Sequence, residues 1–255
     1  MEIAMEAASE ANSPRPATQS RPVRHVVITG AAGALGRAVA SRFAGEGARL
    51  ALIDRDLQHL QSVFAHPEPD HGGHLLHAAD VTSDAAMAPV AAAILDAFGS
   101  VDVLVHVAGG FEMGEATHTL SRESWMRMMD LNAWSFIAVA GHFIPAMMFQ
   151  RSGKVIAVSA RAASAGAATM GAYIASKSAL QRLVESLSHE VREAGINVNS
   201  IAPSILDTPA NRASMPSADH THWVSTGTVA RVAAFLASDG AQAMHGQHVV
   251  LDGLS

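Results

Sequence analysis

Short apolar runs alternate with longer segments of helical pattern along almost the whole chain from Val23 onward. Most of these runs are continuously apolar rather than alternating in polarity, which is typical of parallel strands covered on both faces. The seven runs are residues 26–28, 50–53, 75–76, 101–105, 154–158, 196–201 and 248–251. Strand–helix alternation of this length predicts an α/β fold with one doubly wound parallel sheet of about seven strands, helices on both faces and right-handed crossovers.

The segments between these runs follow a helical pattern, and helices are predicted over residues 37–45, 85–98, 121–148, 173–194 and 228–238. Neither an internal repeat nor a second group of core-forming elements is visible, so residues 23–255 are predicted to form a single domain. Residues 1–22 mix Ala, Ser, Glu and Pro and contain no apolar segment typical of a secretory leader. We predict that they form a flexible N-terminal extension.

The composition excludes several classes of partner and site. Hydrophobic residues make up 49% of the 255 residues and charged residues 16%, which supplies enough apolar material for a sizeable core. No apolar run reaches the roughly 18 residues of a membrane helix. The net charge of −6, without a basic stripe, disfavours nucleic-acid binding. The chain has no cysteine, which excludes disulfides and thiolate chemistry and favours a cytoplasmic location.

Four of the 14 histidines lie close together in a segment rich in Pro and Gly, at His66, His71, His74 and His77. A metal site needs ligands held on rigid elements, whereas this segment has the composition of a mobile loop. We therefore expect no metal site.

The first predicted strand runs directly into Thr-Gly-Ala-Ala-Gly-Ala-Leu-Gly at residues 29–36, which we call the glycine loop, and a helix follows. Glycines in such a turn let backbone N–H groups approach a pyrophosphate at the helix N-terminus. Asp54 ends the second strand, where a carboxylate accepts hydrogen bonds from both ribose hydroxyls and repels a 2′-phosphate. We therefore predict a dinucleotide site that favours NAD over NADP, although Arg55 beside it could accommodate such a phosphate. After the third strand, Asp80 and Val81 suit an adenine contact, but Asp80 could equally cap the next helix.

Tyr173 and Lys177 are four residues apart in a segment of helical pattern, so they are predicted to share one face of a helix. A free phenol has a pKa near 10 and rarely ionises at neutral pH. One positive charge about 4 Å away is worth roughly 4 kcal/mol at an effective dielectric constant near 20. We therefore expect the ammonium of Lys177 to lower the pKa of Tyr173 towards the range useful for acid–base catalysis.

These features together resemble the NAD(P)-dependent short-chain dehydrogenase/reductase family over residues 23–255, whose domain is of the Rossmann type. Its motif T-G-x-x-x-G-x-G is matched at Thr29, Gly30 and Gly36, with Gly33 preceding an alanine at the middle position. Its motif N-N-A-G corresponds to the segment 106–109, which reads His-Val-Ala-Gly. The remaining matches are Asn132, Tyr173, Lys177, Pro203, Thr208, Asp252 and Gly253.

The resemblance implies roles for the matching residues. Tyr173 is the implied acid and base of hydride transfer, Lys177 the residue that binds the cofactor ribose, and Asn132 a residue that holds a helix bend. A homotetramer built on the helix at 121–148 is the implied assembly, with a homodimer as the alternative. The implied cofactor contacts are Gly30, Gly33, Leu35, Gly36, Asp54, Arg55, Asp80, Val81, Ala108, Gly109, Tyr173, Lys177, Pro203 and Thr208.

The family's catalytic serine has no direct counterpart. Its usual position, 13 residues before the tyrosine, is occupied by Ala160, and Ser159 precedes it. Either a small adjustment of the loop lets Ser159 hold the substrate oxygen, or the tyrosine acts alone. Side chains alternate between the faces of a strand, so Ser159 points away from the site unless the strand bulges or has already ended. We take Ser159 as the candidate, with Ser164 as the alternative.

Residues 206–219, together with Trp223, resemble the corresponding segment of quinonoid dihydropteridine reductases, as do Gly33–Gly36 and the segment 107–110. Enzymes of that branch also lack the serine and use NADH, but they do not usually carry the asparagine found here as Asn132. Reduction of a pterin is therefore one alternative reading of the chain.

The expected function is hydride transfer between a nicotinamide cofactor and a carbonyl or alcohol carbon of a small, mainly apolar substrate, cyclic compounds included. The alternatives are a dihydropteridine-type reductase and a non-catalytic NAD-binding sensor. Family specificity resides in loops at the carboxyl ends of the strands, and the predicted pocket residues are Phe111, Met113, Arg161, Met170, Ile205, Leu206, Met215 and Trp223. Arg161 could pair with an anionic group of the substrate or face solvent.

Overall fold

The computed structural model describes residues 23–64 and 73–254. The predicted N-terminal extension, His66 and His71 lie outside the described residues. The seven predicted strands are confirmed, and they form one parallel sheet in the order β3-β2-β1-β4-β5-β6-β9. Their bounds are β1 His25–Thr29, β2 Arg49–Asp54, β3 Leu75–Ala78, β4 Val103–His106, β5 Gly153–Val158, β6 Ile196–Pro203 and β9 His248–Leu251.

Helices cover both faces of the sheet, which explains the continuously apolar strands. One face packs against α1 and α8, with α2 at its edge, and the other packs against α3, α5 and α6. The helices are α1 Ala34–Ala44, α2 Leu57–Val63, α3 Asp84–Phe98, α4 Arg122–Met129, α5 Ser135–Gln150, α6 Gly171–Val191, α7 Pro209–Ser214 and α8 Thr226–Leu236. Because β1 lies between β2 and β4, the order of the strands reverses there and opens a crevice at their carboxyl ends.

The helix predicted over residues 121–148 contains an irregularity. Ser121 caps its N-terminus by accepting a hydrogen bond from the N–H of Ser124, as its side chain can at this position. Between α4 and α5 lies a π-helical turn, Asp130–Trp134, whose wider winding is common at functional sites. The segment Arg122–Gln150 is long and apolar enough to cross a membrane by length and composition alone. A core helix meets the same test, and 56% of the apolar window is buried inside the fold.

The segment between β6 and α8 forms a small unit that the sequence did not predict. Two short parallel strands, β7 Leu206–Asp207 and β8 Val224–Ser225, pair with each other outside the main sheet. The C-terminal tail supports this unit, because the N–H of Leu254 donates to the carbonyl of His222. The unit lies beyond the carboxyl end of β6, at the edge of the sheet where ligands bind in such folds.

Candidate active site

The glycine loop joins β1 to α1, and two of its glycines are required by close contacts. Gly30 has a φ of +65°, and a Cβ at this residue would lie 2.8 Å from the backbone nitrogen of Ala108. A Cβ at Gly36 would lie 2.1 Å from the carbonyl oxygen of Gly30. Gly33, by contrast, is the N-cap of α1 with ordinary extended backbone and no side chain to occupy the helix N-terminus. The loop therefore presents backbone N–H groups in the manner of a phosphate-binding turn.

Asp54, at the end of β2, faces this loop. Its carboxylate accepts hydrogen bonds from the N–H of Ala32 at 2.9 Å and from the N–H of Arg55 at 2.8 Å. These contacts fix the carboxylate at the end of β2, beside the glycine loop. Asp80 accepts from the N–H and the hydroxyl of Thr82, so it stabilises the turn after β3 and does not cap α3. The cap of α3 is Ser83.

The amide of Asn132 connects three elements of the site. Its oxygen accepts from the N–H of Gly110 at 2.9 Å, and its nitrogen donates to the carbonyl of Gly110 at 3.0 Å. The same nitrogen lies 3.0 Å from the hydroxyl of Ser176 on α6, which donates in turn to the carbonyl of Tyr173. Asn132 is buried in the π-helical turn, and the implied role at a helix bend agrees with this placement.

Lys177 is buried on α6, and its ammonium donates to the carbonyl of Val158 at 2.9 Å. A Cβ at Gly109 would lie 3.0 Å from its Nζ and 2.9 Å from Oδ1 of Asn132. Because Gly109 has no side chain, the segment after β4 leaves room for both polar groups. Burial lowers the pKa of Lys177 from 10.5 to about 8.

Tyr173 lies one turn before Lys177 on α6, as predicted. The ring of Phe111 packs edge-on against its phenol ring, with 4.8 Å between the ring centroids. The expectation that Lys177 lowers the pKa of Tyr173 is corrected by the structure. Burial of the phenol raises its pKa from 10.0 to about 12, because the phenolate would lose hydration. Tyr173 is therefore a protonated phenol at neutral pH.

The shifted pKa of Lys177 predicts how stability depends on pH. The unfolded chain binds this proton more tightly than the folded protein, so the free energy of unfolding rises with pH between the two pKa values. Between about pH 7.5 and 9.5 we expect Lys177 to contribute an increase of roughly 2 kcal/mol. Denaturant titrations of the wild type and of Lys177→Met measure this contribution as the difference between their pH slopes. Equal slopes in the two proteins would show that Lys177 titrates normally in the fold.

The structure does not support Ser159 as the substitute for the missing serine. Strand β5 ends at Val158, and the buried hydroxyl of Ser159 donates to the backbone carbonyl of Lys177 at 3.3 Å. The hydroxyl of Ser164 donates to the carbonyl of Arg161, so this alternative is also engaged with the backbone. Ala160 itself is buried. In this part of the site, Tyr173 is thus the side-chain donor left for a substrate oxygen.

Three of the predicted pocket residues lie around the N-terminus of α6. Phe111 and Met113 are exposed on the segment that follows β4, and Met170 is the N-cap of α6. A cavity between these segments is lined by Glu112, Met113, Glu115, Leu120, Ser124, Thr169, Met170, Gly171 and Ala172. The two glutamates were not predicted. Arg127 and Ser124 donate to Glu112, and Ser121 and Ser124 donate to Glu115, which lowers the pKa of both carboxyls.

The other predicted pocket residues belong to the small unit and its surroundings. Arg161 forms an ion pair with Asp252 at 3.1 Å, so its guanidinium is engaged within the chain. The ring of Trp223 is buried and packs on His220, whose ring nitrogen lies 3.0 Å from the carbonyl oxygen of Met215. Ile205 accepts from the N–H of Val224, and Leu206 packs against the core.

Two residues with implied cofactor contacts lie at the edge of this unit. Pro203 ends β6, opposite Leu251 of β9. Thr208 caps α7 by accepting a hydrogen bond from the N–H of Asn211.

Within residues 23–64 and 73–254, no group of three or more His, Asp or Glu side chains is arranged to hold a metal ion. His77 is partly buried, and this burial lowers its pKa.

The comparisons with known proteins agree with the fold. A family model described as short chain dehydrogenase matches residues 24–219. The sorbitol dehydrogenase of Cereibacter sphaeroides is 34% identical over 71% of this chain and 70% of its own length. The D-threitol dehydrogenase of Mycolicibacterium smegmatis is 28% identical over 89% of this chain and 90% of its own. The crystal structure of levodione reductase superposes with a TM-score of 0.84 at 27% identity, covering 90% of this chain and 96% of that one.

Proposed function

The chain belongs to the short chain dehydrogenase family, and we propose that it transfers a hydride between NAD(H) and a carbonyl or alcohol carbon of a small, mainly apolar substrate. The observation that carries this proposal is the convergence of Lys177, Asn132 and the glycine loop at residues 108–109. Lys177 and Asn132 both approach Gly109, and the adjacent Ala108 touches Gly30 of the glycine loop. A proton-donating helix and a dinucleotide-binding turn thus meet at one short segment.

The residues of the crevice fit a nicotinamide dinucleotide. Its pyrophosphate requires a helix N-terminus without a side-chain cap, which α1 supplies at Gly33, and a tightly folded loop before it, which Gly30 and Gly36 allow. The fixed carboxylate of Asp54 suits the two ribose hydroxyls of NAD and opposes the 2′-phosphate of NADP. A bound nicotinamide supplies or accepts the hydride, and the protein orients and polarises the substrate.

In this mechanism the chain's own residues handle the proton. During reduction Tyr173, protonated at neutral pH, donates its proton to the substrate oxygen and is reprotonated from solvent. Oxidation requires the phenolate form, which accepts the proton that the alcohol releases. Lys177 is held by the carbonyl of Val158 with its ammonium beside Gly109, where it can bind ribose hydroxyls. Asn132 holds Gly110 and α6 in a fixed relation. Because the raised pKa keeps the phenol protonated, Tyr173 is at neutral pH in the form that reduction requires.

The state of the phenol can be measured directly because Tyr173 is the single tyrosine of the chain. We expect less than a tenth of it to be ionised at about pH 10.5, where roughly three quarters of a free phenol is tyrosinate. Near-ultraviolet absorbance of tyrosinate during an alkaline titration checks this, with circular dichroism as the control for unfolding. A tyrosinate signal that develops already below pH 9 would mean that Lys177 outweighs burial.

A dihydropteridine-type reductase is the second candidate, and the absence of a serine hydroxyl at Ala160 favours it. The observed partners of Ser159 and Ser164 agree with that reading because neither hydroxyl is free to replace the serine. Such a substrate is reduced at a ring system rather than at an isolated carbonyl, so the loss of one hydroxyl donor matters less. The third reading, a non-catalytic NAD-binding sensor, is opposed by the retention of Tyr173, Lys177 and Asn132.

One screen separates these functions. NADH and NADPH oxidation is followed with quinonoid dihydropterin, with cyclic ketones and with small linear ketones as substrates. Turnover of ketones with NADH supports the first proposal, and turnover of the pterin alone supports the second. Binding of NADH without its consumption in the presence of any compound would overturn the proposed activity. Tighter binding of NADPH than of NADH would overturn the role of Asp54.

For the assembly we propose a homotetramer that pairs the helical segment 122–150 with its copy in a neighbouring subunit. In this segment Met128 and Met147 are buried in the core, whereas Met126, Met148 and other apolar side chains lie on the outer surface. The exposed ones are Trp125, Met126, Trp134, Ile137, Met148 and Phe149, the last of them 93% exposed. Light scattering of the wild type and of Phe149→Glu tests this proposal, and a monomeric wild type contradicts it.

A further inference from the structure

His106 is a fully buried histidine at the end of β4, and no step of the mechanism uses it. Its two ring nitrogens contact hydroxyl groups on opposite sides. Nδ1 lies 3.0 Å from the hydroxyl of Thr29 at the end of β1, and Nε2 lies 3.1 Å from the hydroxyl of Ser135 at the start of α5. The imidazole therefore bridges the strand that carries the glycine loop and the helix that follows the π-helical turn.

The other hydrogen bonds of the two hydroxyl groups determine where the hydrogens of this bridge lie. The hydroxyl of Ser135 donates to the carbonyl of Leu131 at 2.7 Å, so it must accept a proton from Nε2–H. The hydroxyl of Thr29 accepts from the N–H of Ala108 and is then free to donate to Nδ1. Each donor meets one acceptor when the imidazole is neutral and carries its proton on Nε2.

The surroundings of the ring keep it neutral. Burial, and to a smaller extent the positive charge of Lys177, lowers the pKa of His106 to about 3. The ring of Phe136 packs edge-on against the imidazole at 5.8 Å between centroids. A residue in this state is a fixed hydrogen-bonding bridge rather than a proton carrier.

The bridge ends in the turn that positions the site. In the π-helical turn the N–H of Ser135 donates to the carbonyl of Asp130, five residues earlier. The hydroxyl of Ser135 donates to the carbonyl of Leu131. The next residue, Asn132, holds Gly110 and reaches Ser176 on the helix of Tyr173. Two sets of hydrogen bonds, joined through the peptide bond between Leu131 and Asn132, thus run from the glycine loop to the helix of Tyr173.

We propose that His106 is a positioning residue, which as a neutral imidazole ties the π-helical turn to β1 and so holds Asn132, Gly109 and Lys177 in register with Tyr173. The expected effect on kcat rests on the proposed function. The hydrogen-bonded bridge through His106 does not depend on that function. A misplacement of about 1 Å at such a site lowers rates by about 100-fold.

The kinetic test compares His106→Leu with His106→Gln. Leucine fills space without hydrogen bonds, whereas the glutamine amide retains one acceptor and one donor. We expect His106→Leu to lower kcat by about 10- to 100-fold with the Kd of NADH changed less than about threefold, and His106→Gln to recover most of the loss. The matched control is His189→Leu, the same change at an exposed position of α6. Unchanged kcat in His106→Leu, or equal losses in the leucine and glutamine variants, overturns the proposal.

A second test does not depend on turnover. NMR of the protein with nitrogen-labelled histidine, with the His106→Gln variant used for assignment, should show a neutral ring protonated on Nε2 at pH 5 as well as at pH 7. Hydrogen exchange should accelerate in residues 130–135 of His106→Leu and remain unchanged in His189→Leu. A ring that titrates near its ordinary pKa, or unchanged exchange in that turn, refutes the bridge, whereas lack of turnover in the wild type refutes only the proposed function.

Discussion

Replacing Tyr173 with phenylalanine is expected to lower kcat by about 10²- to 10⁴-fold, the range over which a positioned acid accelerates a proton-coupled step. The substitution removes one hydroxyl and leaves the ring in contact with Phe111. Neither Ser159 nor Ser164 is placed to substitute for it, because their hydroxyls donate to the carbonyls of Lys177 and Arg161, and position 160 is alanine. Single-turnover kinetics with NADH and the best substrate of the screen measure the effect.

Two controls accompany this prediction. Ser164→Ala also removes one hydroxyl near the site, but that hydroxyl donates to the carbonyl of Arg161, so kcat should change less than about twofold. NADH binding by Tyr173→Phe, followed by fluorescence, should stay within about threefold of the wild type because only one hydroxyl is lost and the glycine loop, Asp54 and Lys177 are unchanged. A phenylalanine variant that retains more than a tenth of the activity would show that another group donates the proton.

The central sheet could be predicted from the sequence because its strands are buried on both faces. A run such as 50–53 is apolar at every position, and the structure extends it by one residue at each end, to Arg49–Asp54. The strands β7 and β8 gave no such signal, since each has only two residues. They are held by contacts distant in sequence, including the bond between Leu254 and His222. Propensity over two residues cannot predict a strand that tertiary contacts determine.

The positions of the site residues were easier to predict from the sequence than their pKa values and hydrogen-bond partners. The spacing of Tyr173 and Lys177 correctly placed them on one helix face, yet the direction of the pKa of Tyr173 was wrong. That direction depends on how deeply Phe111 and the fold bury the phenol, and burial is decided by segments far apart in the chain. The orientation of Ser159 depended likewise on where β5 ends.

His106 is the feature that sequence reasoning passed over. It was noted only as a departure from an asparagine of the family motif, and its partners Thr29 and Ser135 are 77 and 29 residues away. A histidine at the first position of this motif gives no signal of a buried bridge, because a buried polar side chain is recognised by its partners. The motif position itself was the signal that could have pointed to His106. When histidine replaces the asparagine of the motif, the buried polar groups around that position need a different set of hydrogen bonds.

The second large effect is expected at the glycine loop, where Gly36→Ala should weaken NADH binding by at least about 100-fold and lower the melting temperature by several degrees. The added Cβ would lie 2.1 Å from the carbonyl oxygen of Gly30 and 2.7 Å from the Cα of Ala31. Both neighbours are backbone atoms, so relief of the clash requires the loop to move. That movement displaces the N–H groups that face the pyrophosphate.

Gly227→Ala is the matched control, because it adds the same methyl group in the first turn of α8, outside the glycine loop. Its Cβ would lie 3.7 Å from a guanidinium nitrogen of Arg231 and 3.9 Å from the hydroxyl of Ser225, which are ordinary contacts with side chains. We expect NADH affinity within about twofold of the wild type and little change in melting temperature. Isothermal titration with NADH and thermal unfolding of both variants measure the difference. If the two alanine variants bind NADH equally well, the close approach at Gly36 does not shape the cofactor site, and the dinucleotide would have to bind elsewhere in the crevice.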